Sequence, residues 1–217
     1  MLRLRPVLNL RLMTSIVNEG VRLSSSSNRP FKPGRGTGDT GQSSLYSLER
    51  RWKDDDVFEA LGTTDELSSY LGVCLEHSRT HGLFDVAELL TKVQCCLQDL
   101  GSHLATPPSS ASDARIKRTE FNADFAKEVD AWIDKYSQDL PPLKTFVLPA
   151  GGILGAHFHV ARSVCRRAER RVAPLLRDEQ AEPVALRYLN RLSDLLFVLA
   201  RHACYACGSK EIAYKKP

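Results

Sequence analysis

Val86-Ala-Glu-Leu-Leu90-Thr-Lys-Val93-Gln-Cys-Cys-Leu97-Gln-Asp-Leu100-Gly-Ser-His-Leu104 carries apolar residues at alternating intervals of four and three: Val86, Leu90, Val93, Leu97, Leu100 and Leu104. At 3.6 residues per turn that spacing puts all six on one stripe of a helix, the seam of a bundle. Pro107-Pro108 stop it, since proline has no N–H to donate to a continuing helix. Such a stripe must be buried by others like it. Upstream, Gly62-Thr63-Thr-Asp65-Glu66-Leu67 opens a second periodic segment, with Leu67, Leu71, Cys74 and Leu75 as its stripe. Thr63 with Glu66 three residues on reads as a capping box. Asp65 then falls in the first turn, where the helix dipole favours an anion.

Downstream, Phe125, Val129, Trp132 and Tyr136 mark a third helix, capped by Asn122 and ended by Pro141-Pro142. Leu143 to Gly152 is too short and too punctuated by proline and glycine for a helix, and reads as an extended connector. Phe146 within it is either a core plug or an aromatic presented to a ligand. The last helix runs from about Val184 to Cys207, with Ala185, Leu189, Leu192, Leu196, Leu199 and Ala203 as its stripe. Asn190, Asp194 and Arg201 fall on the other side. With the arginine-rich helix between these two, the pattern gives an all-α, five-helix up-and-down bundle with almost no strand signal.

That fourth helix contains Arg162-Ser-Val-Cys-Arg166-Arg167-Ala168-Glu169-Arg170-Arg171. Ala161, Val164, Ala168, Val172 and Leu175 share its apolar face, and Arg162, Arg166 and Arg170, each four apart, line another. A guanidinium is a planar fork of donors matched to phosphate or carboxylate oxygens, so three in register could grip a polyphosphate. The other reading is a solvated face opposite the core. Gly34-Arg35-Gly36-Thr37-Gly38-Asp39-Thr-Gly41-Gln-Ser43-Ser44 is similarly open. It is a flexible linker, or a loop whose amides and hydroxyls surround an anion; it lacks the Gly-Lys-Ser/Thr of a P-loop.

At 217 residues, with 42% hydrophobic and 26% charged residues, the chain is long enough for one sizeable domain and a tail. A net charge of +4 is too mild to imply nucleic acid, and no apolar run is long enough to span a bilayer. Residues 1–30 differ: Arg3, Arg5, Arg11 and Arg22 interrupt every apolar run, Glu19 is the sole acid, and Ser24–Ser27 follow. That composition is a mitochondrial transit peptide, addressed to the matrix, or a disordered basic leader. The domain is expected over 31–217. Six cysteines without a secretory signal are free thiols. Cys204-x-x-Cys207 has no second pair to complete a zinc site, and no paired Glu-x-x-His elements for a di-iron centre are present.

Thr37-Gly-Asp39-x-Gly41-x-Ser-Ser, Gly62-Thr-Thr-Asp65-Glu66-Leu67-Ser-Ser, Arg162-x-x-Cys-Arg166-Arg-Ala-Glu169-Arg170-Arg and Leu189-Asn190-Arg191-Leu-Ser-Asp194-Leu-Leu-Phe together resemble the PduO-type ATP:corrinoid adenosyltransferases. The resemblance runs from about Thr37 to Lys215. It implies a homotrimer with ATP and cob(I)alamin bound between subunits. ATP contacts would fall on Arg35, Gly36, Thr37, Gly38, Ser43, Lys53, Arg166, Arg167, Ala168, Glu169, Arg170 and Asn190. Asp65 and Arg162 would pair across the interface, and Phe146 would close the lower face of the corrin ring. Catalysis would rest on Arg166, Phe146, Asp65 and Arg162, with magnesium riding on the triphosphate rather than on protein side chains. The implied reaction is attack of cobalt(I) on the 5′ carbon of ATP, with triphosphate leaving and no general base needed. Product hand-off to an adenosylcobalamin-dependent mutase is the partnership implied.

The chain departs from the family pattern before Thr37, where Lys32-Pro-Gly34-Arg35-Gly36 replaces a Tyr-Thr-Lys segment. Leu45 stands for a usual Thr and Leu48 for a usual Gly. The rival reading is a non-catalytic bundle that binds and delivers corrinoid and has lost turnover through an impaired ATP loop.

Overall fold

The computed structural model describes residues 36–216. The leader over 1–30 and Arg35 lie outside that range. In chain order come a hairpin of β1 (Gln42–Ser44) and β2 (Arg50–Trp52), then α1 (Asp56–Thr80), α2 (Phe84–Leu104), short α3 (Asp113–Arg118), α4 (Asp124–Ser137), α5 (Gly152–Arg177) and α6 (Pro183–Ala206). The five long helices are those expected from periodicity. The sixth, α3, buries no side chain, so it leaves no apolar stripe in the sequence.

α1 packs on α2 and α5, and α6 packs on α5 and α4. The turns 81–83 and 178–182 make α1/α2 and α5/α6 antiparallel neighbours. Their stripes meet in one core. Val86, Leu90, Val93, Leu97, Leu100 and Leu104 of α2, and Ala161, Val164, Ala168, Val172 and Leu175 of α5, are all buried. At about 1.5–3 kcal/mol for each large apolar side chain, these stripes supply the main stabilisation. Phe121, Phe125 and Tyr188 meet edge-on at the α4/α6 contact. Asn122 Oδ1 accepts from the N–H of Asp124 (2.9 Å) at the start of α4.

Two local expectations are corrected. Helix α1 begins seven residues before Thr63, where Asp55 caps it by accepting from Val57 N–H at 2.9 Å. Thr63 instead donates to Glu59 O (2.7 Å) inside the helix, so there is no capping box and Asp65 is not in the first turn. The Asp54-Asp55-Asp56 run supplied the stronger start signal, an N-cap followed by first-turn acids. The glycine-rich segment is no loose linker either: Thr37 to Gly41 form a turn leading into the β1/β2 hairpin, paired Gln42↔Trp52, Ser43↔Arg51 and Ser44↔Arg50. Three-residue strands are too short to show period-two alternation.

Candidate active site

Lys53 follows β2 directly and its N–H donates to Gly41 O (2.9 Å), which folds it back over the glycine turn. A Cβ at Gly38 would lie 3.1 Å from Lys53 Nζ, so the ammonium rests on the bare glycine backbone. Gly41, at φ +82, faces the Trp52 ring, which a Cβ would meet at 3.1 Å; glycine alone satisfies both the dihedral and the approach. Arg50 Nη2 donates to Thr37 O (3.1 Å), tying the turn to β2. Arg51 is fully engaged, with Glu49 Oε2 at 2.8 Å, Gln180 Oε1 at 2.7 Å and Asp55 Oδ1 at 3.4 Å. Ser43 is half-buried on β1 and Lys53 is exposed.

The arginine helix divides by direction. Arg167 pairs with Glu66, and Arg171 Nη2 lies 3.5 Å from Glu59 Oε2, both across the α1/α5 contact. Arg166 and Arg170 are exposed and make no ion pair among the described residues. Ala168 is fully buried in the core. Glu169 meets Asn190 rather than an arginine of its own row: Asn190 Nδ2 donates to Glu169 Oε1 at 2.9 Å. Asn190 Oδ1 accepts in turn from Arg191 Nη1 (3.1 Å), whose Nε lies 3.2 Å from Asp130 Oδ1. The amide is thereby fixed beside the free arginines.

Phe146 is no core plug; it is 85% exposed. It projects at a cleft of about 1040 Å³, which Arg162, His159, Asp194, Phe197 and Tyr214 also line. Arg162 lies over the Phe197 ring (5.7 Å to the centroid) and His159 meets that ring edge-on. Desolvation, then the Arg162 charge, holds the His159 imidazole below its ordinary range against a smaller opposing pull from Glu211. His159, Phe197 and Tyr214 carried no site signal in the sequence, because each sits in a stripe or tail that packing alone would explain.

Asp65 is exposed in a different groove, between α1 and α2, with Tyr46, Ser68, Gln98 and Ser102. Within one chain it does not meet Arg162. The hairpin, through Arg51 and Gln180, lies past the C-terminal end of α5, whereas the Phe146 cleft lies toward its N-terminal end. At 1.5 Å per residue, Arg162 and Arg177 are about 22 Å apart along the helix. The glycine turn, the arginine row and the cleft are thus strung along α5 rather than gathered in one pocket.

Residues 35–203 match the cobalamin adenosyltransferase family. The chain belongs to it. It is 53% identical over 180 residues to the corrinoid adenosyltransferase MMAB of Mus musculus, covering 83% of this chain and 76% of that one. Against the human protein of the same name identity is 50% over 202 residues, covering 92% and 80%. A variant of the PduO-type ATP:corrinoid adenosyltransferase of Lactobacillus reuteri, solved with cobalamin and ATP, superposes with a TM-score of 0.75 at 34% identity, covering 82% of this adenosyltransferase and 97% of that chain. The fold is therefore the PduO-type helical bundle. Among the described residues no helix is long and apolar enough to cross a membrane.

Proposed function

We propose that ATP lies along the arginine row of α5 and that the corrinoid lies in the cleft at its foot, with Phe146 beneath the ring. The single observation carrying this is the exposed Phe146 sharing one cleft with Arg162. As a family member the chain transfers the 5′-deoxyadenosyl group of ATP to cob(I)alamin. The cobalt(I) lone pair forms the Co–C5′ bond, the C5′–O bond breaks, and triphosphate leaves with the electron pair of the broken C5′–O bond as adenosylcobalamin forms. No proton moves in this exchange. The protein's tasks are to hold the 5′ carbon in line with cobalt and to meet charge developing on the leaving oxygens with fixed donors.

Arg166 and Arg170 suit the second task, being unpaired forks one turn apart, about 6 Å on the helix rise. Asn190, held by Glu169 and Arg191, adds a fixed amide beside them. Gly36, Thr37, Gly38, Ser43 and Lys53 offer backbone amides, hydroxyls and one ammonium to phosphate; Arg35 belongs to the same segment. Arg167 and Ala168 support the row from behind, the first through Glu66 and the second by packing. Among the described residues no three His, Cys, Asp or Glu side chains converge to hold a metal. Magnesium would travel with ATP on its phosphate oxygens, and no step is routed through it.

The distance between hairpin and cleft, and the lack of an ion pair for either Asp65 or Arg162 among the described residues, favour a site completed by a second copy. In a homotrimer Asp65 of one subunit would pair with Arg162 of the next. The basic, acid-poor leader supports delivery to the mitochondrial matrix, where an adenosylcobalamin-dependent mutase would be the recipient of product.

Phe146 supports the cobalt chemistry by excluding water or a base from the lower axial position. Cobalt(II) left four-coordinate is easier to reduce. Phe146→Ala is expected to preserve ATP binding but lose the four-coordinate cobalt(II) resonance when cob(II)alamin and ATP are added. A wild-type resonance in that variant would refute the placement of the ring.

A further inference from the structure

Phe146 has a difficulty that its role makes acute. It is 85% exposed, so its side chain has little packing to fix it, and it stands on a connector with no helix of its own. What fixes it is backbone. Phe146 O accepts from the N–H of Tyr214 (2.7 Å), Leu148 N–H donates to Ile212 O (2.8 Å), and Val147 bridges Ala213 in antiparallel register. The C-terminal segment thus holds the connector on both sides of Phe146.

That segment would be a loose tail were it not itself anchored. Arg201, on α6 and only 7% exposed, donates through Nε to Glu211 Oε1 at 2.6 Å and through Nη2 to Glu211 Oε2 at 3.4 Å. The same Nη2 donates to Pro141 O at 2.7 Å, which pins the start of the connector. Tyr205 Oη adds a bond to Glu211 Oε2 (3.1 Å). One buried fork therefore ties both the beginning of the connector and the tail that clamps its middle. A planar guanidinium can serve these acceptors together, where a lysine could not. The connector's far end is fixed as well: a Cβ at Gly151 (φ +100) would meet Cys204 Cβ and Sγ at 2.9 Å, so the chain there lies directly on α6. The family match ends at residue 203, short of Glu211 and the clamping tail.

We propose that Arg201 and Glu211 form a latch that positions Phe146 under the corrin ring through the 212–214 segment. Glu211 is a positioning residue, since it does not line the cleft; Arg201 does line it, so the test is placed on Glu211 and the tail and not on Arg201. A largely buried charge pair adds little net stability once desolvation is counted, so its contribution at this place is to hold geometry. The proposal rests on the reading that Phe146 closes the lower axial face.

The test uses the full chain with cob(II)alamin and ATP, comparing wild type, Phe146→Ala, Glu211→Gln and Tyr214→Pro. Tyr214→Pro deletes the N–H that serves Phe146 O together with a side chain that lines the cleft, so Tyr214→Ala, which keeps that N–H, is run beside it. The pair remains informative if Glu211→Gln fails to fold, and a loss in Tyr214→Ala equal to that in Tyr214→Pro would overturn the latch. The latch predicts that Tyr214→Pro and folded Glu211→Gln lose most of the four-coordinate cobalt(II) resonance. Their kcat should fall on the order of tenfold to a hundredfold, the scale of an ångström-sized misplacement, while KM for ATP stays within about twofold. A wild-type resonance and kcat in Tyr214→Pro, with Phe146→Ala defective, would overturn the latch alone. Equal loss of ATP binding and resonance in Tyr214→Pro would also overturn it, by making the tail a general strap. A wild-type resonance in Phe146→Ala would overturn the underlying reading and the latch with it.

Discussion

Leu48 sits at φ +74 in the turn that joins β1 to β2, the position where the family pattern has glycine. For a residue with a Cβ the left-handed region costs roughly 1–2 kcal/mol, and the turn is closed all the same by Leu48 N–H donating to Leu45 O at 3.0 Å. The side chain recovers little of that cost, being 69% exposed. Leu48→Gly relieves the strain but loses roughly 0.5–1 kcal/mol to the greater freedom of glycine in the unfolded chain. The net expectation is a gain of about 0.5–1 kcal/mol. For a domain of this size that raises Tm by about 1–4 °C, measured by thermal or urea unfolding. Leu48→Ala is the control: it keeps the strained dihedral and shortens the side chain, so it should gain nothing. Because the turn carries Ser43 and Lys53 on its flanks, any fall in KM for ATP in Leu48→Gly is capped at about fivefold, the worth of 1 kcal/mol. A Leu48→Gly variant no more stable than Leu48→Ala would refute the argument from backbone strain.

Other outcomes follow from the same geometry. Arg166→Ala removes a fork that is unpaired among the described residues, and should weaken ATP binding by very roughly 2–4 kcal/mol while leaving Tm near wild type, since Arg166 is exposed and makes no ion pair there; titration of ATP checks it. Acid should loosen the α2/α4 contact. Burial pushes the Asp85 carboxyl up, but hydrogen bonds from Tyr136 Oη (2.7 Å) and Lys135 outweigh it and hold the group below its ordinary range. Stability from this group is therefore present above the ordinary carboxylate pKa near 3.9 and lost as pH falls through the lower folded value. Asp85→Asn should flatten that limb in urea midpoints measured from pH 5 to pH 3, and an unchanged slope would exclude Asp85 as its source.

The long helices were legible because each buries one stripe, and a stripe is a property of spacing. Starts were less so. Thr63 and Glu66 have the right types and interval for a capping box, yet Asp55 with first-turn Asp56 and Glu59 captured the helix seven residues earlier. The hairpin leaves no periodic trace in the sequence because its order comes from Gly41 against Trp52 and Lys53 over Gly38, contacts between glycines and long side chains that no periodicity marks. In the site, the arginine row was visible, but its division was not. Only packing against α1 shows that Arg167 is committed to Glu66 and Arg171 to Glu59, which leaves Arg166 and Arg170 free. Arg201 looked like a residue facing solvent; Glu211, ten residues on, is what buries it.

The most direct measurement is single-turnover spectroscopy of the purified full chain with reduced cobalamin and ATP under strict reduction. Conversion of the cob(I)alamin spectrum to that of adenosylcobalamin is expected, with one triphosphate released for each Co–C bond formed. A chain that binds corrinoid yet leaves the cob(I)alamin spectrum unchanged in the presence of ATP would contradict it, and would favour a bundle that only carries the cofactor.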